Sequence, residues 1–486
     1  MICTRTELRL RIGKDGLPRR ASALLITVMG FQALTPAALE AAEPSDGAAQ
    51  QQNQPPELSP SPSSGEAAQP KEPFRFSDLG LRGTVVLKNF SFFYETPNDS
   101  QNWGDEAIVE LGWKRRLNEW ASVNIVGIAR QDNRRFTRGV RTRIPDHYVH
   151  RRYLDVKEGA LTLKAGPAKL ELGKLIYAWG TADAFNPTDN FAPYDYLDII
   201  DRLKMAVYSA SLSAPVGPVQ MQAIFIPFFT PSRNPLVDGR WTPSISAEGG
   251  VGLDIPAGVQ IEQRQIPGRD MDNMMYAVRM KTTVSGWDLS ASYYYGHEYV
   301  PIVRVDQPGA GTVRFTPVYR HLQVPGFDFS TTFEKFEFHG EFALKFEDRD
   351  VKDSRFQGSI GLNYTWDDVG VKGIEQIMFI IEHTREEFLS NHNPNFFVDG
   401  NFINAFRNAL AGRVQLKFNE ETQLSFSGTM DFEKAANYFF QIKLAHKFTD
   451  EYHIETGFDD IAGPLDSFWG KWRDNDRFFL FAKYFF

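Results

Sequence analysis

The chain has a single cysteine, Cys3, among 486 residues. One thiol near the start leaves no disulfide framework and no thiolate metal site. Long apolar runs are missing as well. Hydrophobic residues make up 42% of the chain, yet outside the N-terminus no run approaches the roughly 20 residues that a membrane helix needs. A helical membrane protein is excluded. There is no surplus of positive charge either: 53 Lys and Arg stand against 61 Asp and Glu, a formal net charge of −8, so nucleic acid is not an expected partner. The nine histidines are scattered, with no G-x-S-x-G or H-E-x-x-H stretch, and the expectation is no enzyme, no cofactor and no metal. Aromatic residues are what the chain has in quantity. Its 40 Phe, 17 Tyr and 9 Trp suit a surface that faces lipid on one side and water on the other.

The N-terminus is organised differently from the rest. Arg5, Arg9, Arg11, Lys14, Arg19 and Arg20 precede the apolar stretch Ala21 to Leu34, and small residues run on through Ala42. That order is the layout of a signal peptide, expected over residues 1–42 with no clean cleavage motif. Residues 43–75 are mostly Pro, Ser, Gln, Ala and Gly, too poor in large apolar groups to build a core, and read as a disordered periplasmic linker.

From residue 76 to 486 the chain is a succession of segments alternating with period two. Phe336, Phe338, Phe342, Leu344 and Phe346 fall on one phase; Lys335, Glu337, His339, Glu341, Lys345 and Glu347 fall on the other. Phe356, Ile360, Leu362, Tyr364 and Trp366 repeat the apolar phase, as do Leu424, Phe426, Met430 and Phe432. A soluble β-sandwich or propeller also alternates. Segments of about 10 to 15 residues, however, are long for a soluble sheet and match a tilted bilayer crossing. Aromatics mark both ends of the apolar faces: Trp113, Trp287, Trp366, Phe418 and Phe448 at one, Phe346, Phe356, Phe406, Tyr438 and Phe458 at the other. Short turns (such as Val284 to Trp287 and Asn419 to Glu421) alternate with long loops (such as Thr230 to Asp272 and Glu386 to Ile403). The fold class expected is all-β, a transmembrane antiparallel up-and-down β-barrel of about 18 strands. The segments near 119, 150 and 373 are the least marked, which leaves 16 open.

The last segment alternates Phe478, Leu480, Ala482, Tyr484 and Phe486 and ends on an aromatic. It resembles the C-terminal β-signal of Gram-negative outer-membrane barrels. The resemblance implies an outer-membrane location, contact with lipid and lipopolysaccharide, and recognition by the barrel assembly machinery.

Eight arginines lie between Arg130 and Arg152, namely Arg130, Arg134, Arg135, Arg138, Arg141, Arg143, Arg151 and Arg152. The next loop carries Asp183, Asp189, Asp195, Asp198 and Asp201. This arrangement resembles the eyelet of general porins, where a basic wall faces an acidic infolded loop across the constriction. The alternative is that the arginines bind lipopolysaccharide and the aspartates are solvated turns. Trp179-Gly180, Asp183 and Asn186-Pro187-Thr188-Asp189 together resemble a motif of porin-like, largely uncharacterised Gram-negative barrels. Physically this stretch is a turn with side-chain caps, and Pro193 to Lys204 is expected to form a short helix behind it. Asp183, Asn186 and Asp189 as Ca²⁺ ligands are the weaker alternative, since the spacing lacks the alternation of a calcium loop.

The roughly 37 residues between 43 and 79 are too few for a plug domain, so an open lumen is expected, narrowed by side chains and loops. Lys335, Glu337, Glu341, Lys345, Arg407 and Arg413 are candidate lumen residues. The porin resemblance implies passive diffusion of small polar or charged solutes through a channel, of undetermined oligomeric state. A polysaccharide-export or assembly barrel is the alternative, suggested by the basic run Arg407, Arg413, Lys417. An outer-membrane enzyme is a more distant one.

Overall fold

The computed structural model describes residues 80–486 except 97, 141–143, 237–238, 243–258, 310–311, 348–353, 391–395, 398–405 and 466. The signal-peptide and linker segments, and Arg141 and Arg143, lie outside the described residues.

Eighteen strands close into one antiparallel sheet. They are β1 (Leu81–Phe92), β2 (Trp103–Arg116), β3 (Ala121–Asp132), β4 (Leu154–Ala165), β5 (Ala168–Leu175), β6 (Val207–Val216), β7 (Val219–Ile226), β8 (Met275–Val284) and β9 (Trp287–His297). The second half is β10 (His321–Phe333), β11 (Phe336–Glu347), β12 (Ser354–Asp367), β13 (Gln376–Phe388), β14 (Asn408–Lys417), β15 (Thr422–Asp431), β16 (Asn437–Lys447), β17 (Tyr452–Ala462) and β18 (Arg477–Phe485). Closure is by β18 on β1, from Thr84 opposite Phe485 to Phe92 opposite Arg477. The three least marked segments are real strands (β3, β4 and β13), which decides for 18 over 16. Between β9 and β10 the chain makes a further hairpin outside the barrel sheet. Thr312–Val318 pairs with Ile302–Gly309 in a separate four-stranded sheet, and the barrel strand starts at His321, opposite His297.

Burial is inverted relative to a soluble protein. Apolar side chains such as Ile360 (46% exposed) and Leu362 (40%) lie outward, while His339, Glu341 and Glu382 are at 0% inside. Such a surface is stable only where lipid covers it. Trp287, Trp366 and Phe448 stand exposed near the short turns. Phe406, read as a girdle residue, instead points inward and stacks on Phe185 at 5.3 Å.

The lumen is less open than the sequence suggests. Inward positions of β1, β16 and β18 carry Phe90, Phe92, Phe439 and Phe479, and Trp241, Trp469 and Trp472 from the long loops pack on them. A second apolar cluster forms around Phe191, Trp179, Met275 and Tyr294. Large apolar groups on the inner phase gain stability only by being covered, so the loops fold into the long-loop half of the barrel.

Candidate functional site

Residues 176–206, between β5 and β6, run into the barrel and cross it. Two carboxylates on the wall receive the crossing. Glu341, at the middle of β11, accepts the backbone N–H groups of Thr181 (3.0 Å), Ala182 (3.3 Å) and Thr188 (2.7 Å) and the Thr188 hydroxyl (2.7 Å). Glu382, on β13 and almost diametrically across from β5, accepts those of Asp183 (2.8 Å), Ala184 (3.2 Å) and Phe185 (3.1 Å). A segment leaving its own strand loses its backbone partners, and charge-assisted bonds to two carboxylates replace them. This accounts for the Trp-Gly…Asn-Pro-Thr-Asp stretch. Gly180 has φ +101°, and a Cβ there would lie 2.3 Å from both Glu341 Oε2 and Asn186 Oδ1, so only glycine fits. Trp179 donates its indole N–H to Gln222 at 3.0 Å. Asp189 is ion-paired with Lys204, while Asp183 accepts from Asn363 at 2.9 Å. The two carboxylates thus turn to different partners.

The far half of the segment is pinned by buried ion pairs. Asp198 accepts from Arg134 at 2.7 Å and from Arg477 at 2.6 Å. Arg477 also donates to Asp459 at 2.7 Å. Asp195 accepts from Arg151 (3.0 Å) and Arg233 (3.1 Å), and Arg151 reaches Glu106 at 2.7 Å. Asp201 accepts from Lys88 at 2.6 Å. Burial by itself would raise these carboxyls. The guanidiniums of Arg151 and Arg233 instead hold Asp195 well below the usual carboxylate range, those of Arg477 and Arg134 do the same for Asp198, and Lys88 pulls Asp201 down.

The short helix expected over Pro193 to Lys204 is not formed. Tyr194–Asp195 pairs with Leu203–Lys204 as a two-residue ribbon. Between them the Asp195 and Asp198 side chains accept the backbone N–H groups of Leu197, Ile200 and Asp201, a local pattern that competes with helix.

The arginine-rich loop and the acidic loop therefore meet in direct contact, not across a gap. Arg134 lies in that contact. Arg130 is close enough to feel the Arg151 and Asp195 charges, whereas Arg135 and Arg138 are exposed at the long-loop end. Lys345 lies 4.0 Å from Glu298, a carboxylate that burial would raise but that Arg320 and Arg355 bring down to about 2. Glu337 is exposed near the short turns, and Lys335 is 3.9 Å from Asp367 in the same region. The run Arg407, Arg413, Lys417 is partly neutralised, with Arg407 3.5 Å from Glu433 and Lys417 3.9 Å from Glu375. Arg413 sits on the inward phase of β14, opposite Ile380 and Ser427. In the short-turn half, Lys443, Glu455 and Lys483 face one another with side chains 16–23% exposed, so that half of the lumen admits water.

Lys88, Glu106, Arg233, Glu382, Asp459 and Arg477 were not singled out in the sequence. The available signal was a charge on the inward phase of a strand, as at Lys88, Glu382 and Arg477.

No family model matches the sequence, and no curated protein does. Among solved structures the chain is similar to OccAB3 of Acinetobacter baumannii at 12% identity and TM-score 0.46, over 84% of this chain and 99% of that one. It is similar to OccK1 (OpdK) of Pseudomonas aeruginosa at 8% and 0.44, over 84% and 98%. It also resembles OmpF of Salmonella typhi at 10% and 0.38, over 85% and 99%. At such values the likeness says nothing of solute or of residue roles.

Proposed function

We propose that this chain is an outer-membrane channel for passive diffusion of small polar or charged solutes, with the infolded segment 176–206 as its constriction. The observation that carries the reading is a closed barrel, apolar outside and with charged groups on its inner wall, crossed by a segment fixed to the wall on both flanks. A barrel of 18 strands leaves an aqueous lumen unless something fills it. Here filling is concentrated in the long-loop half, while the short-turn half keeps partly exposed charges. A segment fixed across the interior by buried ion pairs suits small solutes better than a polymer. Under the same reading the apolar band faces outer-membrane lipid, the exposed Arg135 and Arg138 are placed for lipopolysaccharide phosphates, and Phe486 serves the assembly machinery.

Recording from the purified protein in planar bilayers under a salt gradient tests the proposal. Discrete ohmic steps are expected, and a barrel that folds but passes no ions overturns it. Neutralising Asp195, Asp198 and Asp201 should move the reversal potential toward anion preference, and neutralising Arg134 and Arg151, which pair with them, toward cation preference. Conductance without either shift leaves the channel in place and removes these residues from its passage.

A further inference from the structure

Where the infolded segment meets β11 and β13, three side chains converge. His339 Nε2 lies 3.4 Å from Glu382 Oε2 and 3.8 Å from Asp183 Oδ2, and the donor atoms of all three lie within 4.8 Å of one another. Two of them come from the wall and one from the crossing segment.

The strands are shaped to bring them together. His339, Gly361 and Glu382 occupy one row across β11, β12 and β13. A Cβ at Gly361 would lie 2.1 Å from His339 Nε2, so the bare glycine is what lets the imidazole reach over β12 toward Glu382. Glycine inside a strand weakens it and marks a close approach.

The imidazole lacks adequate partners of its own. His339 is fully buried, yet its single hydrogen bond is 3.4 Å long and Nδ1 has no partner. Ordinary N–H···O bonds are about 2.9 Å, and a buried polar group left this way calls for an unseen ion or water. Among the described residues neither Asp183 nor Glu382 has a lysine or arginine partner, so two carboxylates share the place with no fixed cation. Glu382 accepts three loop N–H groups, that of Ala184 shared between its two oxygens, and it is Oε2 that faces His339. Asn363 is a fourth donor, because its Oδ1 has no partner while its Nδ2 lies 2.9 Å from Asp183. Exchanging the two ends of the amide presents the oxygen instead. Asp183, 19% exposed, opens the cluster to the lumen.

We propose that Asp183, His339, Glu382 and Asn363 bind a divalent first-row transition ion that ties the crossing segment to the wall. One imidazole with oxygen donors is a set such ions accept. Tetrahedral ligands about 2.0–2.1 Å from zinc lie about 3.3 Å apart, close to the 3.4 and 3.8 Å found here. The site goes beyond the channel reading and does not depend on what passes through the barrel.

The test uses the full chain, folded in detergent and stripped with a chelator. Zn²⁺ is titrated by calorimetry and Co²⁺ followed by its visible absorption. One ion per chain is expected, with Zn²⁺ raising the melting temperature. His339→Gln and Asp183→Asn should each lower affinity about tenfold or more while keeping the heat-modifiable mobility of a folded barrel. Absence of saturable binding overturns the site, as does one-to-one binding unchanged in both variants. Should His339→Gln fail to fold, Asp183→Asn decides alone, because the Asp183 carboxylate takes no part in the backbone clasp.

Discussion

Asp198 holds two guanidiniums at once, and removing its charge leaves Arg134 and Arg477 facing each other in a buried place. Breaking a buried pair in this way costs about 3–5 kcal/mol. Asp198→Asn should therefore release the crossing segment, seen as faster hydrogen exchange over residues 190–205, and unchanged protection would show that the apolar contacts of Leu197 and Ile200 suffice. The pH response of these pairs has a definite sign. Unfolded aspartate titrates near about 3.9, and Asp195, Asp198 and Asp201 are all depressed in the folded chain. Their stabilisation is fully present above the unfolded value and is lost only as pH falls through the lower, folded one. Exchange protection of the segment should thus be constant from about pH 8 to 4.5 and fail only in stronger acid. Loss of protection already near pH 6 would contradict the pairing. Glu341 and Glu382 act differently, as acceptors for backbone N–H groups. Glu382→Gln should loosen residues 183–185 because an amide replaces one acceptor oxygen by a donor.

At the scale of a strand, phase decides tolerance. Leu362 faces outward near the middle of β12, and arginine there should cost about 2–4 kcal/mol when the barrel is folded into bilayers. Thr365, on the inward phase and partly accessible, should accept arginine with little change. Equal penalties from denaturant titration would mean that the two faces are misassigned. The last strand has a second role. Phe486 exchanges backbone hydrogen bonds with Gly83 at 2.8 and 2.9 Å, closing the barrel, and its ring lies over that glycine. Phe486→Ser should reduce folded barrel in the outer membrane, read by heat-modifiable mobility. An unchanged level would remove the assembly role.

Across the whole molecule, what could be read in the sequence was what repeats. Alternation with period two, long segments and short turns gave the strands, including the faint β3, β4 and β13, because each depends on neighbours a few residues away. The Trp179 to Asp189 stretch was visible as a turn, but its acceptors Glu341 and Glu382 lie 150 to 200 residues farther along, and Arg477 is 279 residues from Asp198. Contacts of that span follow from closure of the sheet, which no local pattern encodes. The inward aromatics Phe90, Phe439 and Phe479 were hidden for a related reason: beside an apolar outer phase they blur the alternation, and only the folded loops show why the lumen accepts them. In the proposed channel, setting the passage is the role of the crossing segment. The most direct test of that role is single-channel conductance of the full chain beside a variant in which residues 182–201 are replaced by a short Gly-Ser linker, both shown to be folded barrels. The variant should show clearly larger conductance and weaker ion selectivity. Equal conductance and selectivity in the two would contradict a constricting role for the segment.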